Sequence, residues 1–262
     1  MSLNMCADQL VLALVPADRI TSVTWLSRDP EESTMAKAAA RVPINHASAE
    51  EVERDHPDIV IAGTYTTPAT RRLLKKLEFP LLEIGTTDSF EDIRRVTREV
   101  ARAVGEAARG EQLIAHMDAT LANLARGDSA ELRVAAWDGA GFSARPGSLF
   151  DTLLRAAGAR NVANEAGIFA SGAPDVETLL ASGPALLVRG MPGFEKPGLG
   201  DNVDFHPVIR RLWQDRTVYV PQSAYLCGTP FSADAALNLR MQMAGALAMA
   251  KRPLSFKVAG GP

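Results

Sequence analysis

The chain carries the same local pattern twice. In its first half, Glu50-x-Val52 leads to the run Pro57-Asp58-Ile59-Val60-Ile61-Ala62-Gly63. In its second half, Glu177-x-Leu179 leads to Pro184-Ala185-Leu186-Leu187-Val188-Arg189-Gly190. The two Glu residues and the two Pro residues are each 127 positions apart. Pro stops a helix, and the branched apolar residues behind it suit a strand covered on both faces, so each copy reads as one α-to-β step. Further along, Arg71-Arg72-Leu73 precedes Leu81 as Arg210-Arg211-Leu212 precedes Val218, now with an offset of 139. The second copy therefore holds about 12 more residues after Gly190. They fall in Pro192–Phe205, a Gly- and Pro-rich stretch that reads as a long loop.

Around these copies, short apolar runs alternate with helical segments. The runs are Ile20–Val23, Ile59–Ala62, Leu81–Ile84, Val134–Trp137, Ala185–Arg189 and Val218–Val220. The helical segments are Asp8–Leu14, Ala49–Arg54, Ala69–Leu77, Leu149–Ala156, Val176–Leu180 and Val208–Trp213. Such alternation specifies α/β layers with right-handed crossovers. Ser89–Arg126 breaks the rhythm. It has no Pro, and Phe90, Ile93, Val96, Val100 and Val104, then Leu113, Ile114, Met117, Leu121 and Leu124, form an apolar stripe. Read as one helix it would be roughly 55 Å long, too long for a crossover in a small sheet; the alternative is two consecutive helices broken near Gly110. The expectation is two Rossmann-like α/β lobes with central parallel sheets, residues 1–88 and 128–262, joined by a long helix over residues 89–127. A ligand cleft between the lobes follows from that layout.

Composition narrows the function. A formal net charge of -3 with 23% charged residues gives no basic face for nucleic acid. No apolar run approaches the ~20 residues of a membrane-spanning helix. Met1-Ser2-Leu3 shows no basic and apolar leader pattern, which fits either a cytoplasmic chain or an exported one whose signal is gone. Cys6 and Cys227 lack metal-ligand spacing and read either as one disulfide or as two buried thiols. A bridge requires the fold to bring them within ~7 Å.

Several motifs together resemble the cobalamin and ferric-siderophore binding proteins of ABC importers. Ser2-Leu3-Asn4-Met5-Cys6-Ala7-Asp8 before an apolar helix looks like that family's opening, without the strand that precedes it there. Pro57-Asp58-Ile59-Val60-Ile61-Ala62 resembles its Pro-Asp-Leu-Val-Ile strand, with His56 at the position of a lysine. Pro146-Gly147-Ser148, Leu153-Leu154 and Ala157-Gly158-Ala159-Arg160-Asn161 resemble its second-lobe pattern. The resemblance implies a periplasmic, exported, non-catalytic monomer that takes a metal chelate to a membrane permease. It also implies a docking Glu on each lobe; Pro68 stands at the first such position.

In open α/β sheets, ligands bind outside the carboxyl ends of the strands. That rule selects Trp25, Ser27 and Arg28 after the first run and Thr64, Tyr65 and Thr66 after the second. In the second lobe it selects Trp137 and Phe142, with Arg145 beyond them, then Arg189 and Met191, then Tyr225, Cys227 and Phe231. Aromatic rings cover the apolar faces of a large chelate at small entropy cost, and guanidinium forks hold its anionic edge. Each also has a structural reading: Trp25 and Trp137 as core, Arg189 as a buried ion-pair member.

Two other classes remain. A Zn or Mn binder would use His46 and His206, which are far apart in sequence; no resident metal or cofactor is expected. A cytoplasmic α/β enzyme would need a catalytic motif. There is no Gly-x-Ser-x-Gly elbow or phosphate-binding loop. Gly139-Ala140-Gly141-Phe142-Ser143-Ala144 imitates a dinucleotide fingerprint, but Pro146-Gly147 prevents a helix from starting there.

Overall fold

The structure, a computed structural model, describes residues 1–126, 131–138, 141–165, 176–190 and 206–250. The chain divides into two compact units. Met1–Ala119 joins with Ser223–Ser232, and Thr120–Gln222 joins with Ala233–Pro262.

The first unit is built on four short parallel strands: β1 (Val23–Thr24), β2 (Ile44–Asn45), β3 (Val60–Gly63) and β4 (Leu81–Ile84). β1 pairs with β2 and β3 with β4. Residues 1–3 lie between the two pairs. Ser2 N donates to Ser22 O on one side, and Leu3 N donates to Ile61 O on the other. Met1–Leu3 thus bridges the two strand pairs.

Helices cover both faces. On one, α1 (Met5–Leu14) and α5 (Phe90–Ala103) pack Leu10, Leu14, Val96 and Val100 against Val23, Ile61 and Ile84. On the other, α3 (Ala49–Asp55) and α4 (Pro68–Lys76) pack Val52 and Leu74 against Met1, Leu3 and Val60. The alternation of Val60 and Ile61 between these clusters is the period of two of a doubly covered strand. A short helix, α2 (Ala36–Ala39), lies between β1 and β2.

Two expectations need correction. β1 begins at Val23, not Ile20: Pro16 and Asp18 open a 3₁₀ turn in which Ile20 N donates to Ala17 O. Ile20 is buried, so its apolar character marked core rather than strand. The single long helix is also two. α5 ends at Ala103, Gly105 takes φ +77°, and α6 (Ala107–Ala125) folds back along α5. A left-handed backbone there suits Gly alone. Arg94 pairs with Asp118 at 2.6 Å and Arg98 with Glu111 at 2.8 Å, which fixes the antiparallel register. Gly110 lies inside α6, where a Cβ would come 2.6 Å from that of Ala101. It is a close-packing glycine, not a helix stop. The units divide within α6, between Ala119 and Thr120.

The second unit has one five-stranded sheet. β5 (Leu132–Asp138) is central, with β8 (Leu186–Gly190) and β9 (Thr217–Val220) in parallel on one side. β7 (Ala159–Asn161) runs parallel to its start on the other side, and β6 (Gly141–Phe142) runs antiparallel to its end. Buried Asn161 joins these pieces. Its Oδ1 accepts from Ala136 N and Ala163 N, and its Nδ2 donates to Ser143 O and Ala144 O. Around the sheet stand α7 (Leu149–Ala156), α8 (Val162–Glu165), α9 (Val176–Ser182) and α10 (Pro207–Trp213). Trp137, Leu179, Ile209 and Trp213 form one core, and Trp213 Nε1 donates to Pro184 O at 3.1 Å.

Two helices follow. α11 (Ser223–Leu226) belongs to the first unit, and α12 (Ser232–Met249) lies almost wholly in the second. Arg240 of α12 donates to Leu124 O and Ala157 O, capping the ends of α6 and α7. The two cysteines form a disulfide with their Cα atoms 5.1 Å apart and 221 residues between them in sequence. By the loop-entropy model, a cross-link closing so long a loop destabilises the unfolded chain by about 5 kcal/mol.

Candidate functional site

At the carboxyl ends of the first unit's strands, each loop is shaped by a small polar group beneath it. Leu3 runs into Asn4, whose Oδ1 accepts from Cys6 N and Ala7 N and starts α1. Asn4 packs against Gly63, where a Cβ would lie 2.7 Å from Asn4 Cγ. The helix cap and the end of β3 can be this close only because residue 63 has no side chain.

Beyond β3 the chain turns sharply. Thr66 Oγ1 accepts from Gly63 N and donates to Leu3 O, and Thr66 N donates to Gly63 O. The turn is closed from inside, and its tip points outward. Tyr65 is 81% exposed, and Thr64 beside it is exposed too. Thr67 then caps α4. After β1, Trp25 opens a 3₁₀ turn and is 52% exposed. Beneath it, buried Asp8 accepts from Thr24 N at 2.9 Å, from Thr24 Oγ1 and from Ser27 Oγ at 2.7 Å. Burial pushes the Asp8 carboxyl up to about 6, against the lowering by the hydroxyls of Ser2, Ser27 and Thr24.

Of the residues expected at this edge, Trp25, Thr64 and Tyr65 project from it. Ser27 and Thr66 do not: both are buried and hold the turns that present their neighbours. Arg28 donates to Ala39 O and Val42 O, so its fork holds the loop before β2. Short polar side chains one or two places past a strand satisfy the local backbone first, a competition that spacing alone does not reveal.

The second unit's edge differs. Trp137 is fully buried, because β5 lies between strands on both sides and helices cover that face. It is a core residue, not a wall. Of Phe142 only the backbone register is described, opposite Trp137. Met191 lies outside the described residues. Arg145 is exposed in the turn before α7. Arg189 is half-buried, in register with Trp137 and Tyr219, and its guanidinium lies 5.7 Å from the centre of the Tyr219 ring.

Tyr225, Cys227 and Phe231 were expected in the second lobe. They lie instead in the segment that packs with the first unit, where Phe231 rests on the α1–α5 core. Cys227 bonds to Cys6 in the first turn of α1. Tyr225 is half-buried and Leu226 is exposed. Sequence reasoning missed Leu226; the apolar position beside Tyr225 in a short helix was its one signal.

Among the described residues, no group of three His, Cys, Asp or Glu side chains is placed to hold a metal ion. His46 pairs with Glu51 on the surface, and His206 caps α10 by accepting from Val208 N. Among the described residues, no helix is long and apolar enough to cross a membrane.

Comparison with known proteins follows the same lines. No curated protein matches the chain in sequence. Among solved structures it is similar to a periplasmic heme-binding protein, RhuT, of Roseiflexus sp. RS-1 in apo form. That match has 24% identity, a TM-score of 0.71, and coverage of 94% of this chain and 97% of that one. It is similar to the periplasmic heme-binding protein HutB of Vibrio cholerae, at 16% identity and a TM-score of 0.70, over 92% and 96% of the two chains. It is also similar to the periplasmic vitamin B12 binding protein BtuF of Vibrio cholerae, at 17% identity and a TM-score of 0.63, over 94% and 96%. The family model described as periplasmic binding protein matches residues 1–209. With that match spanning most of its length, and with paired α/β units of parallel strands, the chain belongs to the periplasmic binding protein family.

Proposed function

We propose that this chain is the substrate-binding component of an ABC importer. It captures a metal chelate – a ferric siderophore, cobalamin or heme – and delivers it to a membrane permease as an exported, periplasmic, non-catalytic monomer. The observation that carries the reading is Tyr65, a tyrosine 81% exposed at the tip of a turn that Thr66 closes from inside. A ring presented outward on a closed turn offers a flat face that a ligand can cover. Trp25 projects from the same edge and offers a second flat surface. Within the chelate class, a flat iron porphyrin fits this pair best. A phenol oxygen is a hard donor that ferric iron accepts, and an indole face covers the macrocycle. The structures similar to this one include heme-binding proteins, which supports the same choice. The Cys6–Cys227 disulfide fits an oxidising compartment such as the periplasm.

The test is a titration of the protein with hemin, cyanocobalamin and a ferric trihydroxamate, followed by absorbance and equilibrium dialysis. One chelate binds with a 1:1 ratio, and hemin binds most tightly. Tyr65→Phe keeps the fold, removes the phenolate-to-iron absorbance and weakens hemin binding at least about tenfold, ~1.4 kcal/mol. If none of the three chelates binds, the reading is wrong; if cyanocobalamin or the trihydroxamate binds and hemin does not, the porphyrin choice within it is.

A further inference from the structure

The segment Ser223–Ser232 sits apart from its neighbours in sequence. The chain on either side of it packs with the second unit, while the segment itself packs with the first. Three independent attachments hold it there. Cys227 is bonded to Cys6, in the first turn of α1 just beyond the carboxyl end of Met1–Leu3. Gly228 lies backbone against backbone on the loop after β4, where a Cβ would fall 2.2 Å from Thr87 O. No other residue fits at position 228 without moving that loop. Phe231 packs onto the core beneath. Thr229 and Ser232 then close the segment, with Thr229 N donating to Ser232 Oγ and Ser232 N to Thr229 O, and α12 begins.

Two of the attached points, Cys6 after Met1–Leu3 and Thr87 after β4, lie beyond the carboxyl ends of extended segments, the edge from which Trp25 and Tyr65 project. Cys227 through Pro230 are buried, whereas Tyr225 is half-buried and Leu226 is 39% exposed. Firm anchorage directly behind a ring and an exposed aliphatic side chain is what a ligand-contacting loop needs if it is not to lose entropy on binding. We propose that Tyr225 and Leu226 are specificity-determining contacts of the first unit's edge, and that Cys6 and Cys227 are positioning residues whose disulfide latches them in place. This rests on the chelate-binding reading above. The ligand class it adds is a chelate with apolar side groups, since a phenol and a leucine offer one hydroxyl and otherwise only hydrocarbon.

The experiment is a double-mutant cycle read by hemin affinity and dissociation rate. Cys6→Ser with Cys227→Ser weakens binding about five- to tenfold, mainly through faster dissociation. Tyr225→Ala and Leu226→Ala each weaken it several-fold when the disulfide is present, and have little effect when it is absent. That loss of coupling separates positioning from a general loss of stability. Equal affinity with and without the disulfide overturns the latch. Should the serine pair fail to fold, Tyr225→Ala and Leu226→Ala in the cross-linked protein still decide: unchanged affinity in both overturns the contacts. A wild-type protein that binds no chelate overturns the functional reading instead, and this inference with it.

Discussion

In each unit a tryptophan comes at the carboxyl end of a parallel strand, and the two meet opposite fates. Trp25 follows β1 by one residue and is half exposed; Trp137 is still inside β5 and fully buried. The residue type is the same, and so is its place relative to an apolar run. The difference is how far the pairing extends. β1 is a two-residue strand that ends at Thr24, because Asp8 draws Thr24 and Ser27 inward and turns the chain. β5 is seven residues long and paired along its whole length by β7, β8 and β6. A ring on a fully paired central strand enters the core that helices lay over it. The carboxyl-end rule therefore selects a side chain only where the strand has stopped.

The largest expected effect tests that contrast directly. Trp137→Ala removes a buried indole packed against Leu179, Ile209 and Trp213, and is expected to destabilise the protein by about 3–5 kcal/mol. Trp25→Ala leaves stability within about 0.5 kcal/mol of the parent. Urea unfolding, monitored by far-ultraviolet circular dichroism, measures both. Two variants of similar cost would erase the distinction between the edges.

The same contrast shows what was legible in the sequence. The α/β class, the parallel strands β3, β4, β5, β8 and β9, and Tyr65 at an edge were legible because branched apolar runs and Pro punctuation are local signals. The turn from α5 into α6 was legible only as an alternative, and with its break near Gly110 instead of at Gly105. The stripe from Phe90 to Leu124 continues through Gly105, and a helix and a helical hairpin bury the same periodic face. Only the tertiary register set by Arg94–Asp118 and Arg98–Glu111 tells them apart. α12 went unseen for the opposite reason: Leu, Met and Ala occur all around Ser232–Met249, so no stripe stands out. The attachment of Tyr225 to the first unit was hidden because it depends on a bond to a residue 221 positions distant from Cys227.

A second prediction concerns the polar residue beneath each edge. Asp8 organises the first and Asn161 the second, and both are buried. Only the carboxyl titrates. Its ordinary value of 3.8 rises to about 6 in the folded protein, chiefly through burial. Between those two pH values the folded state holds a proton that the unfolded chain has lost. Stability from this group is therefore fully present below about pH 4 and declines as pH rises through 6, by about 3 kcal/mol in all. Asp8→Asn removes this slope. Glu83, Asp92 and Glu111, whose carboxyls are held low by bonds to neighbouring side chains, oppose it in both proteins and cancel in the difference. The stability difference between the parent and Asp8→Asn should change by about 3 kcal/mol from pH 3.5 to 6.5. Parallel profiles would show that Asp8 does not titrate there.

The smallest effect is at Arg189, which sits on the core-facing side of β8 between Trp137 and Tyr219. Residues 135 and 137, and 187 and 189, alternate onto that face, and Ala135, Trp137 and Leu187 all enter the core there. Arg189 is the position at which this ladder turns from core to edge, stacked on a ring that is 46% exposed. Arg189→Ala should lower stability by about 0.5–1 kcal/mol through loss of the Tyr219 contact, with no change in the denaturant dependence. On the proposed function it should also weaken chelate binding, since Arg189 stands at the carboxyl end of β8. A fall in the unfolding midpoint with unchanged affinity would assign Arg189 to the sheet alone.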